Sequence, residues 1–412
     1  VEYPRLTIMQ PGSLSQNAFA ADPKRYRAVR IEGIGTDLSE LRAALDEYLP
    51  TGAALVLVNT VQRAQELYRN WPSGERLLRE GHCVGKRLAD GSEVLLFHAR
   101  FPAEARRQRE EEALARFGLS GPRNTRQILI ATQVAEQSLD LDFDLIITDL
   151  APIDLVLQHA GRLWRHARPC KQPRPLATPL LLIAGLDQEM PPDFGLPLWW
   201  KSVYREDVLL RSWALLKERP ELNLPSDIDT WVSDVYEETN TIPERLRDRL
   251  DRAVAEAEGE RCSERKEAQR AHIGFPDDGS WNDPSRFVLY DEDAPGLHRS
   301  LIARTRLGKD AMTVIPITET PDDSSIAPDF ASARHLLRRA VNLSRPAVVQ
   351  RLRRLEIPDG WKKSALLRNA HPLLLDAEGR WCDDATVRLD DELGILYESH
   401  DVRNDNQAKA TP

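Results

Sequence analysis

Residues 127–166 read QILIATQVAEQSLDLDFDLIITDLAPIDLVLQHAGRLWRH, and this stretch decides the fold. It contains two apolar runs, 127–134 and 145–150, and the second leads into an amphipathic segment over 153–166. Continuous apolar runs of this length are typical of parallel strands buried on both faces, and parallel strands need helical crossovers between them. The stretch therefore predicts two parallel strands followed by a helix over 153–166.

The same alternation extends to both sides of this stretch. Further apolar runs at 53–61, 93–101 and 178–185 predict strands, with helices predicted between them. Strands alternating with helices predict an α/β fold with a doubly wound parallel sheet. After residue 190 the composition changes. We therefore predict four segments: an α/β domain at 1–190, a helical linker at 191–272, a small α+β domain at 273–400 and a disordered tail at 401–412.

Composition excludes several classes of protein. Hydrophobic residues make up 41% and charged residues 29% of the 412 residues, as in a soluble globular protein. The sequence has no apolar run of the roughly 18–20 residues that a membrane span needs. Its four cysteines form no C-x-x-C pair, which argues against a cysteine zinc site and predicts a reducing cytoplasm.

Charge is distributed unevenly along the chain. The formal net charge is −9, yet residues 331–368 contain ten lysines and arginines against Glu356 and Asp359. A local basic excess in an acidic protein favours an anionic partner, whereas an ordinary solvated helix face is the alternative. The sequence leaves both interpretations open.

The segment QHAGRLWRH (158–166) suits binding to a phosphate chain. Gln158, Gly161, Arg162 and Arg165 would share one face of the predicted helix, and an arginine can stabilise the charge that develops on a transferred phosphoryl group. A surface helix with two solvated arginines is the alternative. The sequence contains no phosphate-binding loop of the form G-x-x-x-x-G-K-[ST].

Three motifs resemble those of superfamily-2 helicases. ATQVAEQSLDLD (131–142) is similar to the fifth motif, QHAGRLWRH to the sixth and LVLVNTV (55–61) to the fourth. Their order is that of the second RecA-like domain of such a motor. Residues 131–155 more narrowly resemble the CRISPR-associated helicase–nuclease of type I systems, with subtype I-E expected. TRLG (305–308), VNLS (341–344) and residues 371–397 resemble the linker and C-terminal domain of that family.

The resemblance implies roles for the nucleotide-facing residues. Arg165 would be the arginine finger, Arg162 and Gln158 would contact the phosphates, and Gly161 would allow close approach. Asp140 would lie near the ribose.

It also implies a nucleic-acid track. Thr132 would bond a DNA phosphate with Gln133 beside it, and the rim would consist of Asn59, Thr60 and His98. His98 is equally well interpreted as a hydrogen-bonded histidine in a loop.

The implied cofactor is ATP with Mg²⁺, bound mainly by an N-terminal half that this sequence lacks, and nuclease metal ions would also lie off the chain. No metal site is predicted here. The acidic box at 287–295 imitates a Mg²⁺-binding motif and the pair His400-Asp401 imitates a metal-nuclease motif, but neither is interpreted as a site. The implied partners are single-stranded DNA, the N-terminal helicase/nuclease half and the crRNA-guided surveillance complex (Cascade). The alternatives are half of a DEAD-box-like RNA helicase and a non-catalytic docking scaffold.

Overall fold

The computed structural model describes residues 4–135, 139–168, 173–237, 242–271, 311–319 and 326–398. Contacts divide the chain into two compact units, one comprising residues 1–250 with 376–412 and the other comprising 251–375. This division differs from the predicted boundaries at 190 and 272. Several segments discussed above lie outside the described part, namely residues 136–138 of the ATQVAEQSLDLD motif, the box at 287–295, the TRLG segment, His400 and Asp401.

The described strands are β1 (Arg5–Gln10), β2 (Ser13–Ala18), β3 (Arg27–Ile34), β4 (Gly52–Leu57), β5 (Glu75–Arg79), β6 (His82–Arg87), β7 (Glu93–Phe97), β8 (Arg126–Ala131), β9 (Leu145–Asp149), β10 (Leu180–Ala184), β11 (Glu221–Leu224), β12 (Met312–Ile317), β13 (Val341–Leu343), β14 (Ala370–Leu374), β15 (Arg380–Trp381), β16 (Asp384–Asp390) and β17 (Gly394–Tyr397). The α-helices are α1 (Leu38–Tyr48), α2 (Val61–Asn70), α3 (Ala103–Phe117), α4 (Ile153–Ala160), α5 (Glu206–Glu218), α6 (Ile228–Tyr236), α7 (Arg247–Ala271), α8 (Phe330–Leu337), α9 (Pro346–Leu352) and α10 (Asp359–Lys362).

A nine-stranded sheet forms the centre of the first unit, and six neighbouring strands in it run parallel in the order β3-β10-β9-β4-β8-β7. Successive side chains of a strand point to opposite faces of the sheet. Along β4, Ala54 and Val56 on one face and Leu55 on the other are all fully buried. The sheet is therefore covered on both faces, which confirms the predicted α/β fold.

Antiparallel strands flank this parallel core. β6 and β5 extend it beyond β7, and β11 pairs with β3 at the opposite edge. β11 comes from the segment predicted to be a helical linker. In it, Leu222 and Leu224 are buried while Glu221 and Asn223 are exposed. This alternation is the period of a half-buried strand, so the segment contributes a sheet edge as well as helices.

Helix α4 is shorter than predicted. It ends at Ala160, with Gly161 as its C-cap, instead of continuing to residue 166. Trp164 adopts a left-handed backbone with φ of 50°, and Leu163 forms an isolated parallel bridge with Phe143. Because these residues have left the helix, the predicted helix face shared by Gln158, Arg162 and Arg165 is wrong.

The second unit contains a three-stranded sheet in the order β13-β12-β14. Its core includes Ile315 on β12, Trp361 on α10 and Leu367. All ten basic residues of 331–368 are exposed.

The end of the described chain returns to the first unit. Strands β15, β16 and β17 form an antiparallel meander. Gln65 of α2 donates from Nε2 to the carbonyl oxygens of Leu393 and Ile395, at 2.7 and 3.0 Å. The backbone N of Ile395 donates to the carbonyl of Arg100 at 2.9 Å. The segment predicted as one domain at 273–400 therefore contributes to both units.

Candidate functional site

The predicted site residues lie at the two opposite ends of the parallel strands. We call the side of the sheet where the parallel strands end the carboxyl edge, and the side where they begin the amino edge. Asn59 and Thr132 follow the carboxyl ends of β4 and β8. Helix α4 starts after β9 and runs back along it, so Arg162 lies where β9 begins. There the backbone N of Phe143 donates to the carbonyl of Arg162 at 3.1 Å, and the backbone N of Trp164 donates to Phe143 at 3.0 Å. We call residues 161–166 the arginine loop.

Arg165 lies on the surface of the arginine loop. Its Nε is 2.5 Å from Oδ1 of Asp140, and Nε2 of His166 is 3.2 Å from the same oxygen. The side chains of Arg165 and Asp140 are 44% and 59% exposed. Exposed ion pairs contribute only about 0–1 kcal/mol, so another anion can displace this one at little cost. The predicted finger and the predicted ribose-contacting acid are thus in direct contact.

Arg162 faces the interior instead. It is 7% exposed, and its NH1 donates to the carbonyl oxygen of Leu139 at 2.6 Å. This bond ties the arginine loop to the segment that leads into β9. Gln158, by contrast, is exposed on the last turn of α4. Gly161 allows close packing: a Cβ there would approach the Gln158 carbonyl oxygen to 3.2 Å.

A further arginine, which no motif indicated, lies beside the loop. Arg27 on β3 donates from NH2 to the carbonyl of Gly161 at 3.0 Å. Burial, and next the positive charge of Arg165, lowers the pKa of Arg27. Arg27 therefore caps the carboxyl end of α4 and adds to the positive potential around Arg165.

Beneath the loop lies a buried network of two carboxylates and three arginines, of which Arg123 lies 3.8 Å from Asp142. Asp142 and Asp144 are 1% and 0% exposed. Arg168 contacts both carboxylates, at 3.0 and 2.8 Å, and Arg174 does so at 2.9 and 3.1 Å. Removing one partner of such a network would leave a buried charge uncompensated. The network contacts the arginine loop at His166, whose carbonyl accepts from Arg174 at 2.7 Å. Nothing in the sequence pattern distinguished these charged residues from charges on the surface.

At the carboxyl edge, Asp149 organises the strand ends. This fully buried carboxylate accepts hydrogen bonds from the backbone N of Asn59 at 3.0 Å, Nε of Arg63 at 3.1 Å and Nε1 of Trp200 at 3.1 Å. Burial raises the pKa of Asp149, while Arg63 and the two other donors oppose that rise. Asp149 therefore positions the Asn59 backbone and is closed to solvent.

The remaining rim residues form a hydrogen-bonded set. Gln133 donates from Nε2 to the Asn59 carbonyl at 3.1 Å and to the Tyr204 hydroxyl at 3.0 Å. Thr60 is the N-cap of α2 and accepts from the backbone N of Arg63 at 3.3 Å. Thr132 is only 2% exposed.

His98 lies in the interior and not on the rim. It is fully buried and stacks on Phe101 with ring centroids 4.3 Å apart, and its Nδ1 accepts from the backbone N of Arg100 at 3.2 Å. Burial lowers the pKa of His98 well below its usual value. His98 is therefore a buried, hydrogen-bonded histidine, which was the alternative to a role on the nucleic-acid rim.

The segment from Thr132 to Asp140 connects the two edges. Its beginning lies at the carboxyl end of β8, and its end contacts the arginine loop through Leu139 and Asp140. The exposed guanidinium of Arg165 and amide of Gln158 are donors that suit phosphate oxygens. Among the described residues no cluster of three or more His, Cys, Asp or Glu could hold a metal ion.

Two family models match the chain. Residues 50–168 match CRISPR-associated nuclease/helicase Cas3, C-terminal, and residues 306–395 match the Cas3 C-terminal domain. A relative from Thermus thermophilus, the CRISPR-associated endonuclease/helicase Cas3, is 37% identical over 446 residues. That alignment covers 96% of this chain and 47% of the relative.

Solved structures of CRISPR-associated proteins are also similar to this chain over nearly its whole length. A crystal structure of a CRISPR-associated protein is 36% identical with a TM-score of 0.78, covering 97% of this chain and 44% of its own. The T. fusca Cas3–ATP structure is 26% identical with a TM-score of 0.73, covering 96% and 46%. A chain in a CRISPR RNA-guided surveillance complex, before nicking, is 25% identical with a TM-score of 0.65, covering 96% and 48%.

The doubly wound sheet, with its arginine loop at one edge and polar strand ends at the other, defines a RecA-like domain of the helicase class. The chain belongs to the Cas3 family and corresponds to the C-terminal part of a Cas3 helicase. It spans about half the length of the Thermus relative. Assignment to subtype I-E stays a prediction. None of the described helices has the length and apolarity that a membrane span requires.

Proposed function

We propose that this chain is the second motor domain and C-terminal region of an ATP-dependent single-stranded DNA translocase that acts in CRISPR interference. The observation that carries the proposal is the arginine loop, because the exposed guanidinium of Arg165 and the neighbouring amide of Gln158 on α4 are donors for phosphate oxygens.

The arginine loop would face a nucleotide bound mainly by the N-terminal half. ATP with Mg²⁺, when bound, supplies the phosphoryl group whose transfer to water drives the motor. Arg165 would leave Asp140 and place its guanidinium on the transferred phosphoryl oxygens, while Gln158 would donate to the phosphates. Arg162, held by Leu139, would position the loop from the interior, which differs from the direct phosphate contact expected from the motif.

The carboxyl edge would carry the DNA strand. Gln133, Thr60 and the Asn59 backbone are held by the hydrogen bonds around Asp149, so they present a fixed surface to a sugar–phosphate backbone. The exposed basic residues of 331–368 would add electrostatic attraction for nucleic acid or for the surveillance complex. Such a complex contains a similar chain, which supports that partner. We further propose that the protein acts in the cytoplasm.

The test is ATP hydrolysis by the motor assembled from this chain and its N-terminal half. Arg165→Ala should lower single-stranded-DNA-stimulated hydrolysis by about 10³-fold or more, because an arginine finger contributes roughly 10³–10⁵ in rate. Arg165→Lys should recover little, since lysine cannot reproduce the planar guanidinium. The chain alone should hydrolyse no ATP.

Three results would contradict the proposal. Hydrolysis by the chain alone would show that it holds a complete site. Stimulation by RNA and not by single-stranded DNA would favour a DEAD-box-like RNA helicase. Full hydrolysis by the Arg165→Ala motor would show that Arg165 is not the arginine finger and that this chain supplies no catalytic residue there, as the docking scaffold requires.

A further inference from the structure

A groove of about 370 Å³ opens at the carboxyl edge of the parallel sheet. Its apolar lining residues are Leu38, Leu196, Pro197, Leu198 and Trp199. Its polar lining residues include Thr60 and Gln62 at the start of α2. The groove is therefore continuous with the Asn59–Thr60 strand end, and none of the helicase-like motifs includes its aromatic residue.

Trp199 is the prominent feature of this groove. Its side chain lines the groove while the residue is 47% exposed. Its backbone is left-handed, with φ of 56°, a conformation that bulky residues rarely adopt. Surrounding structure holds it there: its backbone N donates to Gly195 at 2.5 Å, and its carbonyl accepts from Oγ of Ser202 at 2.7 Å. Strain of this kind persists only where the surroundings over-determine it.

The support of Trp199 continues into the interior. The next residue, Trp200, is fully buried, stacks on Phe194 and bonds Asp149, the carboxylate that also holds Asn59. The Asp149 carboxylate therefore bonds both the Asn59 backbone at the end of β4 and the indole of Trp200, the residue that follows Trp199.

The charges around the groove argue against a phosphate. Asp37 and Glu66 contribute exposed carboxylates to its lining. The lining guanidinium, Arg63, bonds Asp149 and the carbonyl of Thr36. A neutral, flat group with polar edges suits this combination of an aromatic wall and polar rim, and a nucleobase has that chemistry.

We propose that Trp199 is a stacking platform for a base of the single strand, with Thr60 and Gln62 facing the edge of that base. This inference rests on the proposed function, because the strand must follow the carboxyl edge. The phosphates contact the strand ends, and the groove receives the base. Stacking of this kind tolerates any sequence, since every base has a π-face.

The experiment measures binding of this chain to oligothymidylate and to an abasic strand of equal length and charge, by fluorescence anisotropy. Trp199→Leu should weaken oligothymidylate binding by roughly 5- to 150-fold and leave abasic-strand binding unchanged, whereas Trp199→Phe should retain most of the affinity. The control is Phe19→Leu, which removes an exposed aromatic residue outside the groove and should leave both affinities unchanged. Circular dichroism checks that each variant is folded.

The outcomes separate the two proposals. If both strands bind and Trp199→Leu changes neither affinity, the stacking platform is wrong while the DNA track survives. If Trp199→Leu weakens the binding of both strands equally, Trp199 acts on the phosphate track and the stacking platform is also wrong. If neither strand binds the folded wild-type chain, the proposed track and the platform fail together.

Discussion

Arg162 and Arg165 stand three positions apart, yet one is buried against Leu139 and the other lies on the surface against Asp140. The sequence could indicate both residues because of the motif they share. It could not separate their roles, since Leu163 and Trp164 continue the apolar pattern of α4 and conceal its end at Ala160. The separation depends on the backbone reversal at Trp164 and the bridge to Phe143.

His98 shows a second limit at this scale. A histidine at a strand end looks the same in sequence whether it is on a rim or in the core. Its burial here follows from the meander β15–β17, which joins this unit from almost 300 residues further along the chain. Such a distant contact is not visible in a local pattern.

We predict that His98 makes the chain sensitive to acid. Burial holds its folded pKa well below the usual value, so only the unfolded chain binds a proton as the pH falls below about 6.5. The stability present above that pH is lost as the pH falls, by up to about 1.4 kcal/mol per pH unit. Urea unfolding between pH 7.5 and 5.5 should show this loss, and His98→Gln should reduce it.

His82→Gln serves as the control, because His82 at the start of β6 is partly exposed, unlike His98. It should keep the acid-sensitivity of the wild type. An identical pH dependence in the wild type and His98→Gln would show that the buried imidazole is not responsible.

At the scale of elements, apolar runs located the buried strands well. β4, β7, β8, β9 and β10 lie where such runs predicted them, because strands buried on both faces must be apolar throughout. β11 was missed because it has only four residues and half of them are exposed. The meander was assigned to a different domain, since its partners Gln65 and Arg100 are distant in sequence.

The first residue of β17 should be sensitive to any added side chain. Gly394 has a φ of +70°, and a Cβ there would lie 2.6 Å from the carbonyl oxygen of Arg100. We predict that Gly394→Ala destabilises the first unit by about 2–4 kcal/mol, combining left-handed strain with overpacking. Gly91→Ala is a matched control, because Gly91 has a φ of +82° but no atom within 4 Å of the added Cβ. It should cost only the strain, about 1–2 kcal/mol.

Urea unfolding of the two variants and the wild type measures these differences. Equal losses for Gly394→Ala and Gly91→Ala would mean that the meander yields to the added methyl group and does not pack rigidly against Arg100.

At the scale of the whole molecule, charge separates one segment from the rest. The chain is acidic overall, but residues 331–368 expose ten basic side chains in the second unit. The sequence predicted the excess without deciding between a binding surface and a solvated face. The exposure of these side chains fits both a binding surface and a solvated face. The salt dependence of DNA binding distinguishes the two.

We predict that replacing Arg334, Arg338 and Arg339 by Gln lowers the salt dependence of single-stranded DNA binding. Each lost phosphate contact should reduce the slope of log K against log salt by about 0.7. The control replaces three exposed arginines of α7, namely Arg247, Arg261 and Arg265, which lie among acidic neighbours. Anisotropy titrations over a range of salt concentrations measure both slopes. Equal slopes for the two triple variants would favour the solvated face.

The return of residues 376–398 to the first unit bears on how the chain folds during its synthesis. Domains generally fold as units as they leave the ribosome, amino end first. Here the sheet emerges early, while the meander that covers His98 and receives the side chain of Gln65 emerges only after the whole second unit. We therefore expect the apolar surface around Phe101 to lack its cover during that interval, and the nascent first unit to be open to aggregation and chaperone binding until translation has passed Tyr397.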